Sequence, residues 1–468
     1  MSRTQRISHW LSEITLKKII LTAVAVRIIF LICYLAGGFT ENSAVNTYPD
    51  SVSYIAPADS LLQSGQFLNS SGKWETNRTP GYPLFLAFCR FIGRSHWIWA
   101  AVVFQLLFNA AGCAVLYLFV IEFCGKKDAA VAAGLLQAFN LNDISHSFFI
   151  LTDSISQFLV ILGLLFFLKA AKKSGTFSQY LLCLSVFVIN YFVRPSEIVF
   201  PFFLILIMTI LLLVQKEKRK AFNWLIAALL TACLPLLGWQ LRNVKTAGYN
   251  GFSSNGPLTL YYYNSPGIIA KLDGTDYYAA QKSMSDNPAL KNTGGAPYEM
   301  EKKLALDIIL HHLDIEIFLI LQGMALLLFY PGIFDVLRPF PSFAAQIEEL
   351  KQLYIQQGLS LPMLKGLISN SCSLLILINF GLLLFLNILL IIGLIKSFKI
   401  RLNWVHQTAL LGIFLYSLVV CSGPVGYGSY TRYRLSISAF QAVYFGMALI
   451  PLKQENNASE EDHSYGMD

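Results

Sequence analysis

The sequence predicts an all-α polytopic membrane protein, a bundle of about ten transmembrane helices with interfacial helices in its outer loops. Three observations carry that reading. Of 468 residues, 55% are hydrophobic and 13% charged, with a mean hydropathy of +0.55; so much apolar surface needs a lipid solvent. The apolar residues gather in runs of near-spanning or spanning length. Lysine-rich loops recur between those runs, as cytoplasmic loops do.

Taken in order, Ile19–Ala36 follows Arg3, Arg6, Lys17 and Lys18 and is long enough to span, so it reads as a retained anchor rather than a cleaved signal peptide. Further spans are expected at Trp97–Val120, Ala129–Phe139, Phe148–Ala171, Tyr180–Val193, Ile198–Val214, Ala221–Trp239, Cys372–Ile395, Val405–Cys421 and Leu435–Leu452. Ala129–Phe139 and Tyr180–Val193 are short. Their outer ends fall below the membrane surface, which is tolerable where they line protein or a wet cavity, and both are expected to border one outward-facing cavity.

Lys126 and Lys127, Lys172 and Lys173, Lys216 to Lys220 and Lys396 to Arg401 are assigned to the cytoplasm. That leaves 37–96, 140–147, 194–197, 240–370 and 422–434 outside. Ile315–Pro331 could cross, but crossing would put "KSFKIR" outside, so it reads as an interfacial helix. The chain thus divides into an N-terminal transmembrane catalytic module (1–239, with the first outer loop 37–96), a long outer region (240–370), C-terminal transmembrane helices (371–452) and a cytoplasmic acidic tail (453–468). The long polar loops are thus expected on the outer side of the membrane.

A net charge of +8 belongs, in such a protein, first to its cytoplasmic loops. No nucleic-acid module is present. The eight cysteines lie mostly inside apolar runs without a CxxC, so neither a disulfide framework nor a zinc site is indicated. There is no P-loop, GxSxG or HExxH. No cofactor is expected, and a requirement for a divalent metal is left open.

The outer edges carry arginine where the inner loops carry mostly lysine: Arg78, Arg194, Arg242, Arg432 and Arg434. Lysine suffices to set orientation, whereas the guanidinium fork grips phosphate bidentately. Arg78, Arg242, Arg432 and Arg434 are the candidate contacts of a lipid phosphate, with a plain interfacial anchor as the alternative. Arg194 precedes Glu197 and reads first as a local salt bridge. Arg27, inside the first span, reads as an ion pair or a snorkelling side chain, and Arg90 and Arg94 as surface anchors.

Two outer carboxylates stand out. Asp50, in "TYPDSVSYIAPADSLLQSG", is either an N-cap or a catalytic base. Asp153, in "ILTDSISQF", stands at the outer start of a span, where an ionisable group facing the bundle is a functional candidate. Asp143, near His146, is a looser alternative. Few acids and several arginines suit glycosyl transfer from a phosphate-linked sugar. That leaving group is stable as an anion and needs cations rather than a proton donor, while one Asp can deprotonate the acceptor hydroxyl.

These residues carry a family resemblance. "PDSVSYIAPADSLLQSG", "RTPGYPLFLAF", "ILTDSISQFLVILGLLFFL", "RPSEIVFPF", "LGWQLRNVKTAGYNGFSSNGPLTLYYYN", "LLLFYPGIFDVL" and "YGSYTRYRLSI" occur in an order that resembles the GT-C superfamily of polytopic glycosyltransferases. The likeness is to bacterial relatives of the protein O-mannosyltransferases and the lipid A aminoarabinose transferase (glycosyltransferase family 39-like). It implies a polyprenyl-phosphate sugar donor, an inverting transfer and an outward site. It places the base on Asp50, a supporting role on Asp153, and the donor phosphate near Arg242, Arg432 and Arg434. The acceptor partner would be a glycan, lipid or protein. Ser51 stands where the protein mannosyltransferases carry Glu, and Ser436 where the last motif often has Pro; the first departure weakens protein as the acceptor. The alternatives are a transporter or flippase of lipid-linked sugars, or a polysaccharide polymerase or ligase.

Overall fold

The computed structural model describes residues 11, 13–172, 174–291, 298–338, 340, 365, 373–400, 402–423 and 430–450, and these are almost wholly helical or in turns. The acidic tail lies outside them. The helices that build the site are α1 (Leu16–Ala36), α2 (Asp50–Ser64), α3 (Gly81–Gly93), α4 (Trp97–Cys124), α5 (Lys127–Ala138), α6 (Leu141–His146), α7 (Asp153–Ala170), α8 (Phe177–Val193), α9 (Val199–Val214), α10 (Lys218–Ala228), α11 (Leu234–Ala247), α12 (Leu313–Phe329), α13 (Ile333–Leu337), α14 (Ser373–Lys399), α15 (Trp404–Ser422) and α16 (Tyr430–Ala448).

The chain is an integral membrane protein. Among the described residues, seven helical stretches are long and apolar enough to cross a membrane: Leu16–Ala36, Gly81–Cys124, Asp153–Ala170, Pro195–Val214, Lys218–Ala247, Leu374–Lys399 and Trp404–Ser422. The remaining expected spans appear as α5, α8 and α16, which are shorter or more polar and pack into the same bundle. α12, expected at the interface, packs against α14, α15 and α16.

The main apolar core lies among α4, α5, α7 to α10, α15 and α16. Phe119, Phe167, Phe187, Trp224 and Tyr444 are fully enclosed there. α14 shows Leu374, Leu377, Ile378 and Phe385 outward, as suits a helix that meets lipid.

Arg27 corrects one expectation, since it neither snorkels nor pairs with an acid. Its guanidinium is buried and donates to Asn109 Oδ1 at 2.6 and 3.0 Å, Ala23 O at 2.8 Å and Ala138 O at 3.1 Å. Those carbonyls satisfy a cation that the middle of α1 could not otherwise bury. Arg90 pairs with Asp59 and lies 4.8 Å from the Trp97 ring, tying α3 to its surroundings as a surface anchor.

The turn "RTPGYP" sets the position of the outer loop. Pro80 precedes α3, and Gly81 sits against the C-terminal end of α8. A Cβ on Gly81 would stand 2.6 Å from the Phe192 carbonyl carbon and oxygen and 2.7 Å from Val193 N. These are backbone atoms, which cannot step aside as a side-chain tip can. Gly81→Ala is therefore expected to destabilise the protein by about 1–3 kcal/mol, read as a lowered midpoint in thermal unfolding of the purified protein. The close approach is what brings Arg78 and Arg194 to one place.

Candidate active site

α2 begins at Asp50, but Asp50 does not cap it. Pro49 occupies the N-cap, and no side chain caps the helix. The carboxylate turns instead to two arginines. Arg78 Nη2 donates to Oδ1 at 2.7 Å, and Arg432 Nη1 donates to Oδ2 at 2.6 Å. Arg78 is fixed in turn by Ser53 Oγ at 2.9 Å, Tyr54 Oη at 3.1 Å and the Tyr54 ring at 4.4 Å. Glu75 Oε1 accepts from the backbone N–H of Asn77 and of Arg78, at 2.6 and 2.9 Å, and so holds the turn that presents this arginine.

Asp153 opens α7 and completes the array. Its Oδ2 accepts from Arg432 Nε at 3.0 Å and its Oδ1 from Arg194 Nη1 at 2.6 Å. Arg194 also lies 3.6 Å from Glu197, so the local salt bridge exists but is the looser of its two pairs. The result is a ladder of alternating charge running Glu197, Arg194, Asp153, Arg432, Asp50, Arg78. Each guanidinium in it offers several donors in a fixed plane, so Arg432 can bridge two carboxylates that would otherwise repel.

Exposure singles out one rung. The Asp50 side chain is 37% exposed, against 0% for Asp153 and 11–12% for the three arginines. Burial pushes the Asp50 carboxyl up, but the Arg432 and Arg78 guanidiniums outweigh it and hold the group well below the usual carboxylate range. Because the folded group titrates below its unfolded value of about 3.9, its contribution to stability is complete above roughly pH 4 and is lost as the pH falls further.

The other expected phosphate contacts lie elsewhere. Arg432 and Arg434 are two residues apart on α16, about 200° around the helix, so they face opposite sides. Arg434 is buried and donates to Leu327 O at 2.6 Å and to Tyr330 O, satisfying carbonyls at the C-terminal end of α12. Arg242 donates to Glu75 O at 2.6 Å and Phe67 O at 3.1 Å, with Trp239, Trp74 and Phe67 rings 4.8–5.4 Å from its guanidinium carbon. It stitches the first outer loop to α11. Arg242→Leu is expected to lower stability by about 1–3 kcal/mol, because Glu75 O loses its donor while Phe67 O keeps the Glu75 N–H, with the affinity for a lipid phosphate changed less than twofold; thermal unfolding and a binding titration check the two halves.

Asp143 also lies apart from the ladder. It accepts from Gln157 Nε2 at 2.8 Å, Ser438 Oγ at 3.0 Å and Gln137 Nε2, and burial raises its carboxyl. The C-terminal end of α8 thus delivers Arg194 to the ladder, while the C-terminal end of α5 borders a cavity on the other side of α16. Tyr48 was not singled out by sequence. Its ring lies 5.9 Å from the Arg432 guanidinium carbon, and its hydroxyl is 3.1 Å from His146 Nε2. No local motif marks it. Among the described residues, no three carboxylate, imidazole or thiol side chains converge as metal ligands.

Comparison with known proteins agrees with the resemblance read from the sequence. Residues 77–239, about a third of the chain, match the family model described as dolichyl-phosphate-mannose-protein mannosyltransferase. No curated protein matches. Among solved structures, the chain is similar to the archaeal oligosaccharyltransferase AglB from Archaeoglobus fulgidus, in complex with an inhibitory peptide and a dolichol-phosphate (TM-score 0.43, 13% identity, 94% of this chain and 50% of that chain). It is also similar to ArnT from Cupriavidus metallidurans bound to undecaprenyl phosphate (TM-score 0.38, 14% identity, 90% and 77%). The chain spans half the length of the archaeal protein.

Proposed function

We propose that this protein is a membrane glycosyltransferase that moves a sugar from a polyprenyl-phosphate donor to an acceptor hydroxyl on the outer face of the membrane. The observation that carries the reading is the ladder itself: two arginines share one accessible carboxylate, next to the residues that match the mannosyltransferase family model. A flippase would need the arginines and not a solvent-open carboxylate held between them.

The chemistry follows from competition for the same cations. A donor phosphate entering the site draws Arg78 and Arg432 away from Asp50. The carboxylate then loses the charges that hold its basicity down, and it becomes a competent base when the donor is in place. The acceptor oxygen attacks the anomeric carbon from the face opposite the phosphate, its proton passes to Asp50, and the sugar–oxygen bond to phosphate breaks with inversion. The bonding electrons leave on the phosphate, where the guanidiniums stabilise the charge. Asp153 holds Arg432 and Arg194 from the buried side and orients the forks. No cofactor enters the scheme. The acceptor is a hydroxyl of a glycan, lipid or protein, and the setting is a bacterial inner membrane with the ladder on the periplasmic side.

The substrate class is tested by incubating the purified protein with labelled polyprenyl-phosphate sugars and, separately, the matching diphosphate-linked sugars, with membrane extracts as acceptor. Transfer from the monophosphate donors is the expected result. Transfer confined to diphosphate donors would move the assignment to a polymerase or ligase, and donor crossing liposomes without transfer would make the protein a flippase.

A further inference from the structure

A second cavity, of about 310 Å3, lies on the other side of α16 from the ladder. Helical phase separates the two. Arg432 points to α7, whereas Arg434, Ser438 and Gln441 line the cavity. Its other walls are the C-terminal end of α5, the start of α6, α13 and α14. The volume is at the low end of small-molecule sites, about 300–1,000 Å3.

The polar lining is unusual for a membrane interior. It consists mostly of carboxamides: Gln137, Asn142, Asn379, Asn387 and Gln441, with Ser438 among them. No carboxylate lines it among the described residues. The cation present, Arg434, donates to the Leu327 and Tyr330 carbonyls. A carboxamide both donates and accepts, as a hydroxyl does, so the lining complements an uncharged hydroxylated group. Two of these side chains point to a missing donor. Among the described residues, Gln137 Oε1 and Asn142 Oδ1 have no hydrogen-bond partner, in residues that are 1% and 8% exposed. A buried acceptor without a donor is costly, and a ligand hydroxyl would supply the missing donor.

The opposite wall is apolar: Leu382, Leu383 and Leu386 of α14. The other face of that helix shows Leu374, Leu377, Ile378 and Phe385 outward, as a helix that meets lipid does. Among the described residues, α14 is the wall of the cavity that also carries an exposed apolar face. We propose that this cavity binds an uncharged amphiphile, its aliphatic chain against the leucines of α14 and its hydroxylated head among the carboxamides. A phosphorylated head would be dehydrated there without a free cation to receive it. The proposal is independent of the glycosyl-transfer reading.

The test uses the full chain in phosphatidylcholine nanodiscs and a diazirine-bearing monooleoylglycerol as probe. Cross-links are expected on the peptides around Leu383 and Gln441. Unlabelled monooleoylglycerol should compete, and methyl oleate and oleyl phosphate should not. Leu383→Trp, which fills the cavity, and Gln441→Leu, which removes a carboxamide that bonds only weakly within the protein (3.5 Å to Asn387 Oδ1), should each cut labelling about tenfold without lowering the unfolding temperature. Labelling spread over the outer face of α14 and indifferent to both variants would overturn the proposal. So would equal competition by methyl oleate, which would make the site apolar only, or stronger competition by oleyl phosphate, which would make it an anion site.

Discussion

Arg432→Gln is expected to lower sugar transfer by about a hundred- to a thousandfold, the usual effect of removing one donor that stabilises charge developing on an oxygen. Among the described residues, Arg432 is the one side chain that bonds both aspartates of the ladder. Its loss leaves Asp153, whose side chain is fully buried, with Arg194 as its remaining guanidinium. Stability should fall as well, because breaking a buried ion pair on one side costs about 3–5 kcal/mol. Arg432→Lys separates the two effects. It keeps the charge and so much of the stability, but a single ammonium cannot bond both carboxylates in the planar geometry of the fork. Thermal unfolding near the wild-type midpoint together with a rate at least tenfold down would assign the loss to the site rather than to the fold. An unaltered rate in a well-folded Arg432→Lys protein would show that charge alone suffices.

The second large effect is at Asp50. Asp50→Asn keeps the shape and should keep the fold, because the side chain stands at the open end of the ladder with Arg78 held separately by Ser53 and Tyr54. With Asp50 in the proposed role of base, the substitution should slow transfer by about 10²–10⁴-fold. The same substitution removes the internal anion that neutralises Arg78 and Arg432, and so frees both for phosphate. The variant is expected to pair slow turnover with tight binding, measured as kcat together with the affinity for a polyprenyl phosphate. An ordinary structural lesson would lower both.

Much of this was legible in the sequence, and the limits have physical causes. Lysine-rich loops and apolar runs mark the bundle because membrane insertion reads those features directly. The change from lysine to arginine between the two sets of loops singled out residues that meet, since Asp50, Asp153, Arg78 and Arg432 converge. Their pairing could not be read, since Asp50 and Arg432 stand 382 positions apart. Arg194 reads locally as a partner of Glu197 because the sequence does not show the closer Asp153, 41 positions away. Arg242 resembles a phosphate contact until Phe67 and Trp74 fold over it. The separation of Arg432 from Arg434 was within reach: two positions on one helix cannot face one site. The carboxamide cavity was not, because its lining comes from several elements far apart in the chain and each amide alone looks ordinary.

The central claim is that Asp50 and the donor phosphate share Arg78 and Arg432. The most direct measurement is the equilibrium affinity of the purified protein for polyprenyl phosphate, wild type against Asp50→Asn, at one ionic strength and at neutral pH. Tighter binding by the variant, by about tenfold for the loss of one competing ion pair, is the expected result. Weaker binding by a correctly folded variant would contradict it, and would mean that Asp50 helps to hold the lipid rather than yielding its arginines to it.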